Sequence, residues 1–387
     1  MKFGLPSFAI LLSFVLLSAC ATISRPENGL AAPGSALHMV DPRLKADAME
    51  ADFTHRMQTA TEPFSLLSLS GGGANGAFGA GVIVGWTETG KRPEFSIVTG
   101  VSTGALAAPF AFLGPEWNER LKVAYTRGGA EGLLSWRHLS FLVSPSLYSA
   151  RQLKDLVYQN ITPDLLRAVA VEHAKGRRLL VATTNLDTQE TTIWDMGLLA
   201  TQGDAPALAL FCKILLASSS IPGVFPPVFI VASGNDGRLV QQMHVDGGVN
   251  APFLAVPEDL VLWTSPHSPP PGSTIYILIN GVLERETSIT PGSFRGILIR
   301  TLSSAGNASN RVHIASNAAF AARNGMDVEL SVIPRGTPGG TLNFSTEAMS
   351  ASFEAGRQRA LAGTAWAPIR SGQVFVNGDV TAPAPSR

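Results

Sequence analysis

The stretch FSLLSLSGGGANGAFGAG, residues 64–81, decides the fold. It begins with an apolar run that is typical of a buried strand, and a run of glycines ends that strand. Residues 82–88 continue with small and apolar side chains at helical spacing. Gly71, Gly73 and Gly76 also satisfy G-x-G-x-x-G, the spacing of a dinucleotide-binding turn. The stretch therefore predicts a strand, a loop and a helix, with the loop amides directed at a negative charge.

Strand-like and helical segments alternate along the rest of the chain. Apolar runs predict further strands at 95–100, 177–187, 191–197, 239–248, 273–280 and 327–334. Periodic patterns predict helices at 116–127, at 149–159, from Thr162 onward and at 346–366. This alternation predicts the α/β class, with a mostly parallel central sheet and helices on both of its faces. No linker interrupts residues 63–370, so one domain is expected there, followed by a C-terminal tail at 371–387.

The composition limits the class of protein. The chain has 387 residues, of which 45% are hydrophobic and 15% charged, so it can bury a large core. Lys plus Arg and Asp plus Glu are equal at 29 each, and basic residues form no run, which argues against a nucleic-acid partner. Cys212 lies among apolar residues at helical spacing and is expected to be a small buried core residue.

The N-terminus predicts export and a lipid anchor. Residues 1–20, MKFGLPSFAILLSFVLLSAC, begin with a positive charge and continue with an apolar segment too short for an ordinary spanning helix. The end of this segment resembles the lipobox of bacterial lipoproteins, which implies that Cys20 is lipidated and holds the protein at a membrane surface. Because Ala21 is not acidic, the resemblance favours the outer membrane of the bacterial cell envelope. A cleaved signal with an incidental cysteine is the alternative.

The segment after this anchor, residues 21–62, is rich in Ala, Pro and Ser and shows no sustained period. Such a composition is typical of a flexible tether between a membrane and a folded domain.

A second motif follows the strand predicted at 95–100. Gly100 to Gly104 fit G-x-S-x-G, and Ser102 falls where the strand ends and a helix begins. That context is typical of a nucleophile elbow, in which flanking glycines allow a sharp turn that exposes the serine hydroxyl. The helix that begins at Thr103 offers amide donors and a favourable dipole to a developing anion. The motif alone is weak, and an ordinary helix N-cap is the alternative interpretation of Ser102.

A serine nucleophile needs a base to remove its proton. A conventional triad would use a downstream histidine, but neither His267 nor His313 lies beside a signature, and His244 is equally well explained as a strand residue. Asp246 follows the strand-like VQQMHV and precedes two glycines that permit close backbone approach. Burial would raise the basicity of its carboxylate, so that it could take a serine proton directly. On this stretch alone, a turn aspartate remains the alternative.

Four blocks of sequence, in order, resemble the patatin-like phospholipase family: residues 70–76, 100–104, 217–228 and 246–248. Together they span about residues 64–253, and the combination is far more specific than any one block. The resemblance implies a three-layer α/β/α fold. It also implies hydrolysis of acyl esters by a serine–aspartate dyad, with no histidine, metal or cofactor.

The resemblance assigns roles residue by residue. Ser102 looks like the nucleophile and Asp246 like the general base. The family usually carries Lys or Arg where this chain has Asn75, which puts a role for a cation there in doubt. Backbone amides are unaffected by that change, so activity is expected to survive it. The expected donors of the oxyanion hole are the amides of Gly71, Gly72, Gly73 and Thr103.

Together these features predict a membrane-anchored serine acyl hydrolase that cleaves ester bonds of phospholipids or other lipid esters through an acyl-enzyme intermediate. A dinucleotide-dependent oxidoreductase is disfavoured, because its ribose-binding acid should follow the next strand, where Thr99 and Gly100 stand instead. A histidine-assisted esterase and a non-catalytic lipid-binding or assembly lipoprotein on the same fold remain alternatives. Residues 254–370 contain no motif that points to chemistry.

Overall fold

The computed structural model describes residues 41–44, 46–128, 151–233, 236–256, 268–284 and 289–369, together with a few shorter pieces. The predicted signal at 1–20, Cys20 and His267 lie outside the described residues.

Ten strands of the described chain form one mixed sheet. In chain order they are β1 Arg43–Leu44, β2 Ser65–Leu69, β3 Ile97–Val101, β4 Arg178–Asn185, β5 Glu190–Asp195, β6 Val228–Ser233, β7 Leu239–Asp246, β8 Thr274–Ile279, β9 Asp327–Val332 and β10 Ala367–Pro368. A separate hairpin in the predicted tail consists of β11 Val374–Val376 and β12 Asp379–Thr381. The described α-helices are α1 Ala46–Thr59, α2 Gly76–Glu88, α3 Thr103–Leu113, α4 Asn118–Thr126, α5 Arg151–Asn160, α6 Pro163–Ala174, α7 Met196–Ala200, α8 Ala205–Ser218, α9 Phe294–Asn324 and α10 Thr346–Leu361.

The sheet is parallel at its centre and antiparallel at its edges. β4, β3, β2, β8 and β9 lie side by side in this order, and each neighbouring pair is parallel. β5 and β1 extend one edge, β10 closes the other, and the β6–β7 hairpin pairs with the end of β4, all in antiparallel register. The predicted α/β class with a mostly parallel central sheet is confirmed, and the antiparallel strands are additions at its edges.

Two apolar clusters lie on opposite faces of this sheet. Because side chains alternate along a strand, Leu67 of β2 enters the larger cluster and Leu66 the smaller one. β4 repeats this pattern with Leu179 and Leu180. Helices α2 to α8 and α10 cover the larger cluster, whereas α1 and α9 cover the smaller one. The arrangement is the three-layer α/β/α architecture that the sequence predicted.

Helix ends follow the capping chemistry of the sequence. The start predicted at Thr162 is confirmed, since its side chain accepts the N–H of Leu165 and Pro163 occupies the first helical position. α9 begins where the Ser293 hydroxyl accepts the N–H of Gly296, and it ends at Gly325, whose φ is 69°. No helix in the described part of the chain is both long and apolar enough to cross a membrane.

The domain begins earlier than the sequence indicated. The tether was expected over residues 21–62, but α1 packs Met49, Phe53 and Met57 into the smaller apolar cluster, and β1 pairs with β5. The tether prediction is therefore wrong for residues 41–59. These apolar side chains recur every four residues in an otherwise polar segment, so a narrow buried stripe was mistaken for an absence of pattern.

Candidate active site

Ser102 lies between β3 and α3, at the carboxyl edge of the sheet. Its φ of 57° and ψ of −125° are a backbone conformation that a residue with a side chain rarely adopts. The turn depends on Gly104, because a Cβ added there would lie 2.3 Å from the carbonyl oxygen of Leu69. The strand–turn–helix context predicted for Ser102 is confirmed, and the strained turn holds its side chain at the edge of the sheet.

Two serines from the end of α8 hold the backbone of Ser102. The Ser218 hydroxyl accepts the N–H of Ser102 at 3.0 Å and donates to the carbonyl of Ala182 at 2.7 Å, so it joins β3 to β4. The Ser219 hydroxyl donates to the carbonyl of Ser102 at 3.3 Å. These contacts explain the run ASSS within residues 217–228, which sequence reasoning noted without a role for each serine.

Asp246 ends β7 opposite Thr183 of β4. The carbonyl of Ser220 accepts its N–H at 3.0 Å, so the same run of serines holds both Ser102 and Asp246. One carboxylate oxygen, Oδ1, accepts the N–H of Gly248 at 2.8 Å. The other, Oδ2, is buried and has no regular hydrogen bond within the described residues.

The electrostatics of Asp246 follow from this burial. Desolvation raises the pKa of its carboxyl to about 6, while weaker side-chain bonding from Ser102 and the Gly248 amide act in the opposite direction. The contact with Ser102 is looser than a regular hydrogen bond. At neutral pH the carboxylate is therefore charged, unusually basic and in contact with a serine side chain.

The glycine loop after β2 lies directly against Ser102. A Cβ added at Gly71 would lie 3.2 Å from the Cβ of Ser102 and 3.8 Å from its Oγ, so only glycine fits here without displacement. The N–H of Gly71 donates to the carbonyl of Pro252 at 3.1 Å. The prediction of this amide as an oxyanion donor is therefore wrong for the structure described, because a backbone acceptor already uses it.

The other three predicted donors are free. Within the described part of the chain, the N–H groups of Gly72, Gly73 and Thr103 have no hydrogen-bond partner. Gly73 has a φ of 58°, and Gly73, Thr103 and Ser102 line the same cavity. Unpaired amides beside a serine hydroxyl can stabilise the negative charge of a tetrahedral intermediate.

Asn280, which follows β8, anchors the glycine loop. Its backbone N–H donates to the Ser70 hydroxyl at 2.8 Å, and its side-chain amide donates to the Ser70 carbonyl at 2.8 Å. Sequence reasoning missed this residue. The available signal was a polar residue directly after a buried apolar strand, at the edge of the sheet where the loop also lies.

Asn75 binds a second loop, formed by residues 339–341. Its Oδ1 accepts the N–H of Gly340 at 3.1 Å, and its amide lies 3.4 Å from the Thr341 hydroxyl. The carbonyl of Thr341 accepts the N–H of Ala74 at 2.9 Å. Asn75 therefore has a structural contact of its own, and residues 254–370, which showed no motif, shape the glycine loop from the outside.

An apolar cavity opens beside Ser102. At its polar end, Tyr125 donates its hydroxyl to the Thr103 carbonyl at 2.8 Å, and burial raises the pKa of this phenol to about 12. No histidine is among the cavity's lining residues within the described chain. The apolar part of the lining comes from four helices and several loops and includes Leu106, Phe110, Val157, Phe225, Phe344 and Met349.

The two described histidines that the sequence offered as candidate bases, His244 and His313, make structural contacts instead. His244 is buried, its Nδ1 lies 3.0 Å from the Thr183 hydroxyl, and burial lowers its pKa to about 4. The ring of His313 packs against Phe253, and its Nδ1 lies 2.9 Å from the carbonyl of Ser309 in its own helix. Cys212 is fully buried as predicted, and burial raises the pKa of its thiol to about 12.

Comparison with known families agrees with this geometry. The model of the patatin-like phospholipase family matches residues 67–257, the segment that contains the glycine loop, Ser102 and Asp246. Residues 67–257 therefore form a patatin-like phospholipase domain. The class of enzyme that the sequence predicted, a lipid acyl hydrolase of this family, is confirmed at that level. No curated protein sequence matches the chain.

Three solved structures resemble this chain at low sequence identity. VipD from Legionella pneumophila is 14% identical with a TM-score of 0.32, over 92% of this chain and 74% of that one. The type III effector protein ExoU is 13% identical with a TM-score of 0.32, over 80% and 55%. Human GIVD cytosolic phospholipase A2, in complex with methyl gamma-linolenyl fluorophosphonate, is 10% identical with a TM-score of 0.33, over 86% and 66%. The chain thus spans only part of each of these proteins.

Proposed function

We propose that this protein is a membrane-anchored acyl hydrolase that cleaves ester bonds of phospholipids or other lipid esters with a dyad of Ser102 and Asp246. The observation that carries the proposal is the pairing of a serine on a strained turn with a buried carboxylate whose Oδ2 lacks a regular hydrogen bond. The adjoining apolar cavity offers space for an acyl chain.

Acylation uses groups that this site already presents. Ser102 Oγ attacks the ester carbonyl carbon while its proton passes to Asp246. The tetrahedral oxygen accepts hydrogen bonds from the free amides of Gly72, Gly73 and Thr103. When the intermediate collapses, the bond to the alcohol oxygen breaks, and Asp246 returns the proton to that leaving oxygen. An acyl group remains on Ser102.

Deacylation repeats these reaction steps with water as the nucleophile. Asp246 takes a proton from a water molecule that attacks the acyl carbon, and the same amides hold the second tetrahedral oxygen. The bond to Ser102 Oγ then breaks, and the proton on Asp246 passes to Oγ. The products are a fatty acid and the restored hydroxyl.

A serine-directed fluorophosphonate tests the nucleophile directly. It should label Ser102, and Ser102→Ala should lower kcat/KM for a short-chain p-nitrophenyl ester by on the order of 10⁴-fold or more. Ser331→Ala is a matched control, because that hydroxyl is buried and has no partner within the described residues. Absence of a label together with unchanged hydrolysis by Ser102→Ala would falsify the dyad. Equal background rates in wild type and Asp246→Asn would favour a lipid-binding role on the same fold.

The pH dependence tests the base. Only the carboxylate form of Asp246 accepts a proton, and its pKa is raised to about 6. We therefore expect kcat/KM to fall by about tenfold per pH unit below pH 6 and to be flat above it. His244 would not produce this pH profile, because its pKa is about 4 and its titration would place the fall in kcat/KM near pH 4.

We also propose lipidation of Cys20 and an outer-membrane location. The support is the lipobox-like sequence at residues 17–20 followed by the non-acidic Ala21. Metabolic labelling with a fatty acid should mark the wild type and not Cys20→Ser. A labelled Cys20→Ser variant would overturn this assignment, and fractionation of the two membranes would test the location separately.

A further inference from the structure

Large apolar side chains are exposed at one edge of the sheet. Nine such residues are exposed in the described chain, and five of them lie after β4, after β7 or between β8 and the first half of α9. Leu186 follows β4, and Val249 follows β7 at the turn where Asn250 contacts Gln189. The others lie between β8 and the first turns of α9. We call this set the carboxyl-edge patch; it comprises Leu186, Val249, Ile289, Ile297 and Leu302.

The N-terminal half of α9 projects past this edge. α9 has 31 residues and a length of about 46 Å, whereas β9, with six residues, spans about 20 Å. The helix ends at the amino edge of the sheet, because Asn324 is followed almost directly by the first residue of β9, Asp327. The N–H of Asp327 donates to the carbonyl of Ser273, which lies just before β8 at the same edge. Roughly 25 Å of helix therefore extends beyond the opposite edge. Burial agrees with this geometry, since no described side chain from 296 to 313 is buried and the first buried one is Ile314.

The projecting segment carries only positive charge. Residues 289–311 contain no Asp or Glu, and their arginines are Arg295, Arg300 and Arg311. The chain as a whole has equal numbers of acidic and basic residues, so this segment stands out against a neutral background. A segment with exposed apolar side chains and only basic charged residues matches the interface of a bilayer that contains anionic lipids.

We propose that the carboxyl-edge patch and the projecting half of α9 dock the protein on an anionic lipid bilayer. This inference rests on the proposed function, because the docked surface is the one that carries Ser102. The orientation would bring the mouth of the apolar cavity to the lipid that it hydrolyses. A lipid anchor alone would leave the domain free to turn, whereas the patch fixes which edge faces the bilayer.

Fluorescence quenching tests the contact without relying on activity. Ile297→Cys carries an environment-sensitive maleimide dye, in the full chain bound to vesicles of phosphatidylcholine and phosphatidylglycerol that contain a nitroxide-labelled lipid. Val171→Cys is the matched control, because it is similarly exposed on α6 shortly before β4 begins at the amino edge. Of the two native cysteines, Cys212 is buried and Cys20 carries the proposed lipid, so neither thiol competes for the dye. We expect several-fold stronger quenching at 297 than at 171. High salt should then reduce the quenching at 297. Equal quenching at both positions, or none at 297, would overturn the proposal.

A ratio of two activities tests the consequence. The double variant Ile289→Asn with Ile297→Asn should lower hydrolysis of vesicle phospholipid by about tenfold while leaving hydrolysis of a soluble p-nitrophenyl ester unchanged. Val171→Asn should change neither rate. An unchanged ratio in the double variant would sink the docking surface. Inactivity of the wild type on both substrates would instead contradict the proposed function, and the quenching result would still decide the docking.

Discussion

Asp246 and Asp195 end two strands of the same sheet, β7 and β5, and their local surroundings are alike. Each carboxylate is almost completely buried, and each accepts a backbone N–H at 2.8 Å from the turn that follows its strand, from Gly248 and Leu198 respectively. Burial raises the pKa of both groups. By residue type, burial and capping role, the two aspartates are equivalent.

Their remaining neighbours are different. Arg178 Nε lies 3.7 Å from Oδ2 of Asp195, and His173 Nδ1 lies 3.6 Å from its Oδ1, so a positive group faces the second oxygen. Asp246 has an unbonded Oδ2 and a serine on a strained turn. A raised pKa alone therefore does not identify a general base. The distinguishing feature is an oxygen left available to a nucleophile beside a cavity.

The largest expected effect separates the two aspartates by activity. Asp246→Asn removes the proposed base and should lower kcat/KM for a soluble ester by about 10³-fold or more. Asp195→Asn keeps the shape and contacts no residue of the proposed dyad, so its kcat/KM should stay within about threefold of wild type. Steady-state kinetics of both purified variants provide the measurement. Similar losses in both variants would remove the distinction.

The next effect is on stability and its dependence on pH. The pKa of Asp246 is about 6 in the folded protein, above the ordinary value of 3.8, so the folded state holds this proton more tightly. Stability from this group is fully present below pH 3.8 and is lost as the pH rises to about 6. Asp246→Asn does not titrate and escapes this loss.

Denaturant unfolding of both proteins at pH 4.5 and pH 8 measures the difference. The free energy of unfolding of Asp246→Asn, relative to wild type, should be about 2 kcal/mol more favourable at pH 8 than at pH 4.5. Asp195→Asn also removes a carboxyl with a raised pKa, so its free energy of unfolding relative to wild type should likewise be more favourable at pH 8 than at pH 4.5. A pH-independent difference for Asp246→Asn would contradict the raised pKa.

Loss of the Ser218 hydroxyl, which holds the backbone of Ser102, should have a smaller effect on stability and activity. Ser218→Ala leaves the buried N–H of Ser102 without its acceptor, which should cost about 1–3 kcal/mol of unfolding free energy. A shifted elbow should also slow labelling of Ser102 by a fluorophosphonate by about tenfold. Ser331→Ala removes a buried hydroxyl that has no partner within the described residues, so it should change stability by less than about 0.5 kcal/mol. Equal unfolding free energies and equal labelling rates in the two alanine variants would show that Ser218 does not hold the turn at Ser102.

Asn75 is expected to give the smallest effect. Asn75→Ala removes the bond from Gly340 in a half-buried loop and should cost about 0.5–1 kcal/mol. Activity on a soluble ester should fall by less than about fivefold, since the backbone amides of Gly72 and Gly73 remain. A loss above about 100-fold would place the Asn75 side chain in the chemistry rather than in support of the loop.

Features that depend on neighbouring residues could be predicted from the sequence. Apolar runs predicted strands β2, β3, β4, β7 and β8, and the capping pair at Thr162 predicted the start of α6. The elbow at Ser102 was also predictable, because glycines must flank so sharp a turn. β6 and α1 were missed, since β6 lies in a run interrupted by prolines and α1 buries only a narrow stripe.

The sequence by itself determined the class of fold, the family and the positions of Ser102 and Asp246, because local pattern and motif spacing encode them. Only the tertiary structure decided which amides and carboxylate oxygens are available. The carbonyl of Pro252 accepts the N–H of Gly71. Asn280 holds the glycine loop through a hydrogen bond to Ser70, which is 210 residues away in the chain. Hydrogen-bond partners and desolvation depend on atoms that meet only when the sheet forms, so no local pattern can state them.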